Sequence, residues 1–167
     1  MMERSMHHAI TGAMAMSVAL VLSAPLSLAA PGAPGHSHRG FAAGTPGDPK
    51  KPARTVEVVM KETEDGKMIY VPDRVEAKRG EQIRFVLKNV GKVDHEFMLD
   101  SVAKNAKHKI EMQKNPDMEH DDPNGKRLPP GGTGEIVWRF SKAGTFEFAC
   151  LIPGHYESGM RGTAMVK

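Results

Sequence analysis

The sequence predicts an all-β sandwich interrupted by one long loop that carries a short helix. Apolar residues recur with a period of two from Thr55 onward, the spacing of half-buried strands. Turn-forming Gly, Pro, Asn and Asp residues punctuate these runs, as where antiparallel strands reverse. The 167 residues are enough for one ordinary domain with extensions. No repeat occurs at a solenoid or propeller period.

Two segments precede the sandwich. Arg4 lies in a short polar head, and the stretch from Ile10 to Ala30 is small, apolar and almost uncharged, passing through Ser27-Leu28-Ala29. Residues 1–29 therefore read as a cleavable signal peptide. A retained membrane anchor fits less well, because the run barely reaches the ~20 residues of a span and contains Gly12 and Pro25. No membrane span is expected in the mature form. Residues 30–53 are crowded with Gly and Pro and are expected to form a flexible tether without a stable element. His36 and His38, within it, fit either polar spacers or a weak metal catch. Residues 54–167 form the predicted folded domain.

Within that domain Val56, Val58 and Met60 form one alternating run, Ile83, Phe85 and Leu87 a second, and Ile136, Trp138 and Phe140 a third. Each run gives a strand one apolar face. The stretch from Ser101 to Pro130 is polar and reads as an insertion, with a short helix over Lys104 to Met112. Trp138 and Tyr156 read as packing residues, and Tyr156 also as part of a surface where a redox partner docks.

Composition narrows the function. There are 23 basic and 20 acidic residues, a formal charge of +3 without a basic stripe, so a nucleic-acid footprint is absent. One cysteine rules out an internal disulfide and the paired cysteines of zinc ribbons or dithiol motifs. Export would expose that thiol to oxidation unless something held it.

Cys150 follows Phe146 and Phe148 at alternate positions, so it ends a strand on the core side. His155 and Met160 follow it by five and ten residues, in a loop that closes at Gly159 and Gly162. His95 shares a strand face with Phe97 and Leu99 and also points inward. Two imidazoles, a thiolate and a weak axial thioether match the donors of blue-copper sites. The expected ligands are His95, Cys150, His155 and Met160. Three other readings compete: a buried thiol that merely packs, a structural zinc site, which prefers four Cys or His ligands, and a Cys–His nucleophile. The last lacks an orienting third group and an oxyanion loop, so the chain is not expected to be an enzyme. Met98, three residues after His95, points to the opposite strand face. Met112, Met118 and His120, near His108, fit either a weaker second copper site or a solvated loop with packed methionines.

Phe148-Ala149-Cys150, Pro153-Gly154-His155, Ser158-Gly159-Met160-Arg161-Gly162 and Asp94-His95-Glu96 together resemble the cupredoxins, over Thr55 to Lys167. The leader and the Met/His-bearing insertion are similar to periplasmic copper-resistance cupredoxins of the CopI type. This resemblance implies a cupredoxin-like Greek-key β-sandwich, one copper ion, a periplasmic location and a role in copper tolerance with one-electron Cu(II)/Cu(I) chemistry. A dedicated periplasmic electron-transfer shuttle and a chaperone delivering Cu(I) are the alternatives. The implied partners are the copper ion and a periplasmic redox or copper-handling protein, with the chain itself a monomer. Many small cupredoxins place Asn after the first His, where it braces the Cys loop; here Glu96 stands there. Glu96 is expected to face away from the metal and to leave that brace missing, with a colour and potential unlike a typical blue protein.

Overall fold

The computed structural model describes residues 40–116 and 122–167. In chain order their strands are β1 (Gly44–Pro46), β2 (Arg54–Glu62), β3 (Met68–Val71), β4 (Arg74–Ala77), β5 (Gln82–Asn89), β6 (His95–Asp100), β7 (Gly125–Leu128), β8 (Thr133–Phe140), β9 (Gly144–Ala149) and β10 (Arg161–Val166). Helix α1 spans Val102–Lys114, between β6 and β7. One sheet has the order β1-β8-β5-β2-β3 and the other β4-β10-β9-β6-β7. The pairs β2/β5 and β4/β10 are parallel; the remaining neighbours are antiparallel.

The expected sandwich follows from the alternation. Ile83, Phe85 and Leu87 are buried, as are Ile136, Trp138 and Phe140 on the adjacent strand. From the second sheet Phe97, Leu99, Phe146 and Phe148 complete the same core. Phe97 and Phe148 stack at 5.1 Å, and Tyr70 meets Phe148 edge-on at 5.1 Å. Each such side chain removed from water contributes on the order of 1.5–3 kcal/mol.

Strand β6 departs from simple alternation, being buried at all six positions. Its inner face joins the sandwich core, while α1 covers the outer one. Met98 and Met112 are buried there with Ala149 and Leu151. Met98 thus lies on the face opposite His95, as its spacing predicts. The helix is longer than the expected Lys104 to Met112: the Ser101 hydroxyl caps it by accepting from the Lys104 N–H at 3.3 Å.

The tether expectation over residues 30–53 needs correction for its described part. Residues 44–46 form an edge strand paired with β8, Ala43 is fully buried, and Phe41 lies edge-on to Trp138 at 5.1 Å. The folded unit therefore begins before residue 54. Composition misses this because β1 borrows its order from the open edge of β8. Gly44 permits the approach: its φ is +151°, and a Cβ there would lie 2.0 Å from the Arg139 carbonyl oxygen. Residues 1–39, with the expected signal peptide, His36 and His38, lie outside the described residues.

The strands at the sheet margins are short. β1 has three residues, and β3, β4 and β7 have four each, against six to nine for the strands inside. Replacement of Gly44 by Ala should detach β1 from β8 and destabilise the protein by about 1–3 kcal/mol. A lower urea midpoint checks this; an unchanged midpoint shows that β1 contributes nothing to the fold.

Candidate metal centre

The centre lies where β9 ends and β6 begins. β9 delivers Cys150 just past its last residue, and the chain returns into β10 at Arg161, paired with Ala149. The intervening loop is closed by its own backbone. Cys150 N–H donates to the Met160 carbonyl at 3.1 Å, and Met160 N–H to the His155 carbonyl at 3.1 Å. Gly154 (φ +88°) and Gly159 (φ +99°) supply left-handed turns that residues with a side chain rarely adopt. The loop therefore fixes the backbones of Cys150, His155 and Met160 relative to one another.

His95 arrives from the neighbouring strand. The β6/β9 register sets Met98 opposite Ala149, which carries the start of β6 alongside Cys150. The Glu96 N–H donates to Cys150 Sγ at 3.3 Å, and His155 Nδ1 lies 3.3 Å from the same sulfur. The rings of His95 and His155 are 5.3 Å apart. One donor atom each from His95, Cys150 and His155 lies within 4.8 Å of the others. Met160 is fully buried in the same core as Cys150.

Electrostatics leave these groups ready for a cation. Burial pushes the Cys150 thiol up to about 12, against the opposing pull of the Glu96 N–H. Without metal it is a neutral thiol, and a bound metal ion would displace its proton. Burial lowers the pKa of His95, partly countered by Glu62, and burial together with His95 lowers that of His155. Both imidazoles are thus held neutral, the form that binds metal. His95 Nδ1 is buried without a hydrogen-bond partner. A polar atom left so at a soft-donor cluster fits a metal ligand.

Two supporting residues differ from the sequence expectation. Glu96 is buried, and its Oε2 accepts the Leu151 N–H at 3.1 Å. It therefore braces the Cys loop rather than leaving it unsupported. The alternation places it, correctly, on the face away from His95, but that face is covered by the loop and α1. Glu62, at the end of β2, was not singled out by any sequence signal. Its carboxylate oxygen Oε1 lies 3.0 Å from His95 Nε2.

A polar clip joins the Cys150–Met160 region to α1. Tyr156 donates to Glu147 Oε2 at 3.0 Å, and Asn105 of the helix donates to Glu147 Oε1 at 3.1 Å. Lys109 Nζ sits 4.5 Å from the Tyr156 ring centroid, and the Arg161 guanidinium 5.2 Å. Tyr156 thus does more than pack. Of the suggested second-site residues, Met112 is buried against Met98, whereas Met118 and His120 lie outside the described residues.

The family description "Copper binding proteins, plastocyanin/azurin family" matches residues 56–167. The chain belongs to this family. This cupredoxin is 50% identical over 124 residues to the copper-resistant cuproprotein CopI of Rubrivivax gelatinosus, covering 74% of this chain and 73% of the relative. It is 37% identical over 177 residues to the protein of the same description from Pseudomonas aeruginosa, covering 89% and 93%. Among solved structures, auracyanin B superposes with a TM-score of 0.60 at 25% identity, over 76% of this chain and 98% of that one. The cupredoxin fold and its affinity for copper agree with the donor set at Cys150.

Burial pushes the Glu96 carboxyl up to about 7, against the Leu151 N–H and Arg127, which lower it. Between the ordinary carboxyl range and about pH 7 the folded metal-free cupredoxin holds a proton that the unfolded chain has lost. Its contribution to stability is therefore present at low pH and lost as pH rises through about 7, a change on the order of 3 kcal/mol. Urea unfolding of the metal-free protein from pH 4 to 8 should show this slope relative to Glu96→Gln; a pH-independent difference between the two proteins rejects it.

Proposed function

We propose that the chain is an exported, periplasmic copper protein that contributes to copper tolerance, a binding protein and not an enzyme. His95, Cys150 and His155 would hold the copper strongly, and the Met160 thioether would be a weaker fourth donor. The observation that carries this reading is the convergence of three donor atoms within 4.8 Å, with His95 Nδ1 buried and unpaired. The tolerance role rests on the likeness to relatives described as copper-resistant cuproproteins.

Bound copper supplies one-electron exchange between Cu(II) and Cu(I). The chain's residues set the conditions for it. The imidazoles suit both oxidation states, and the sulfur donors favour the reduced one. The loop from Cys150 to Met160, tied backbone to backbone, resists rearrangement when the charge at its centre changes. Burial of Cys150 keeps the thiol from external oxidants and disulfide partners.

Loading must release the Cys150 proton, because that thiol is protonated at neutral pH. Calorimetry in buffers of different ionisation heat should give one proton released per Cu(II) at pH 7.5, with apparent affinity rising about tenfold per pH unit. Cys150→Ser should abolish the thiolate-to-copper absorption and weaken Cu(II) binding by ~100-fold or more. Retention of both by that variant would place the metal elsewhere.

The cellular role is tested by deleting the gene and comparing growth in excess copper with respiration in its absence. Copper sensitivity with intact respiration is expected. Impaired respiration without added copper, and unaltered tolerance, would assign the protein to electron shuttling instead.

A further inference from the structure

We infer that Glu62 is a positioning residue for the copper ligand His95, fixing its tautomer and favouring Cu(II) over Cu(I). The inference rests on the proposed copper role of His95, Cys150 and His155. It names a residue on the opposite sheet, 33 positions from the ligand it would control.

The Glu62 carboxylate is locked in place before it meets the imidazole. Lys92 N–H donates to both of its oxygens, at 3.1 and 2.9 Å, and Val93 N–H to Oε1 at 3.3 Å. From this anchorage Oε1 faces His95 Nε2 at 3.0 Å. A carboxylate can only accept, so Nε2 carries the hydrogen and Nδ1 presents its lone pair. Nδ1 is the buried nitrogen that lacks a partner. The hydrogen bond thus makes Nε2 the donor and leaves the buried Nδ1 lone pair free for metal.

Gly91 completes the arrangement. A Cβ at that position would stand 2.7 Å from each Glu62 oxygen and 2.8 Å from His95 Nε2. The carboxylate and imidazole therefore meet directly beneath a backbone without a side chain, and an alanine there would wedge them apart. Such a close fit is more than an incidental surface pair between β2 and β6.

The chemical consequence is directional. An anion hydrogen-bonded to the far nitrogen makes an imidazole a stronger donor. Its negative charge also stabilises the more highly charged metal ion. Both effects favour Cu(II) over Cu(I) and hold the reduction potential down.

The test uses the full chain and two variants, Glu62→Gln, which removes the charge with little change of shape, and Gly91→Ala, which keeps the charge but separates the pair. Cu(II) and Cu(I) affinities would be measured by chelator competition, and the potential by spectroelectrochemistry. Each variant should lose about tenfold in Cu(II) affinity with Cu(I) affinity little changed, raising the potential by about 59 mV. In the metal-free parent, nitrogen-15 NMR should show His95 as the Nε2–H tautomer, and Gly91→Ala should yield a mixture. Equal losses for Cu(I) and Cu(II), or an unchanged potential in both variants, would overturn the role of Glu62. A parent that takes up no copper fails earlier, at the proposed function, while the NMR tautomer still reports on the hydrogen bond itself. Should Glu62→Gln fail to fold, Gly91→Ala alone decides the matter by the same criteria.

Discussion

A single thiol, carried fully into the core yet hydrogen-bonded by the backbone of the next strand, organises this molecule. Cys150 can occupy that position because β9 and β6 are neighbours in a fixed register, so the Glu96 N–H reaches its sulfur. The same register brings His95 alongside. Sliding β6 by one residue would exchange its two faces, replacing the His95 imidazole with the Glu96 side chain and moving Phe97 out of the core. The hydrophobic packing of Phe97 and Leu99 therefore holds the chemistry in place as well as the fold.

Polar residues then compensate for what the apolar surroundings lack. Glu96 and Glu62 support the candidate centre from different sheets. One ties down the backbone just after Cys150, and the other meets Nε2 of His95. Glu147 extends this support outward, joining Tyr156 to Asn105 on the helix. The insertion is thus attached to the ligand loop through a buried carboxylate, and it shields the outer face of the strand that begins with His95. A loop in that position would have to satisfy its own backbone groups, which a helix does internally.

How much could be read beforehand depended on distance along the chain. Cys150, His155 and Met160 occupy one short loop, and His95 declares its direction through Phe97 and Leu99, so local spacing is enough to nominate them as candidates. The three main alternating runs became β2, β5 and β8 for the same reason. Glu62 had no such signal, since a glutamate ending a strand is ordinary until tertiary pairing sets it against an imidazole. For Glu96 the face was legible, but not the covering that makes its carboxyl useful. The order of residues 40–53 is hidden from local composition because it comes from the rim of β8 and the Trp138 ring, partners that no sequence window contains.

The abbreviated margins of both sheets bear on how such a chain behaves when crowded. A long, flat border offers a row of unpaired amides and carbonyls to any second molecule, the starting point for runaway stacking. Here each border gives out after three or four residues, and one of them includes Pro46, which has no amide hydrogen to offer. Strand-by-strand polymerisation thus has little template to follow along the described strands.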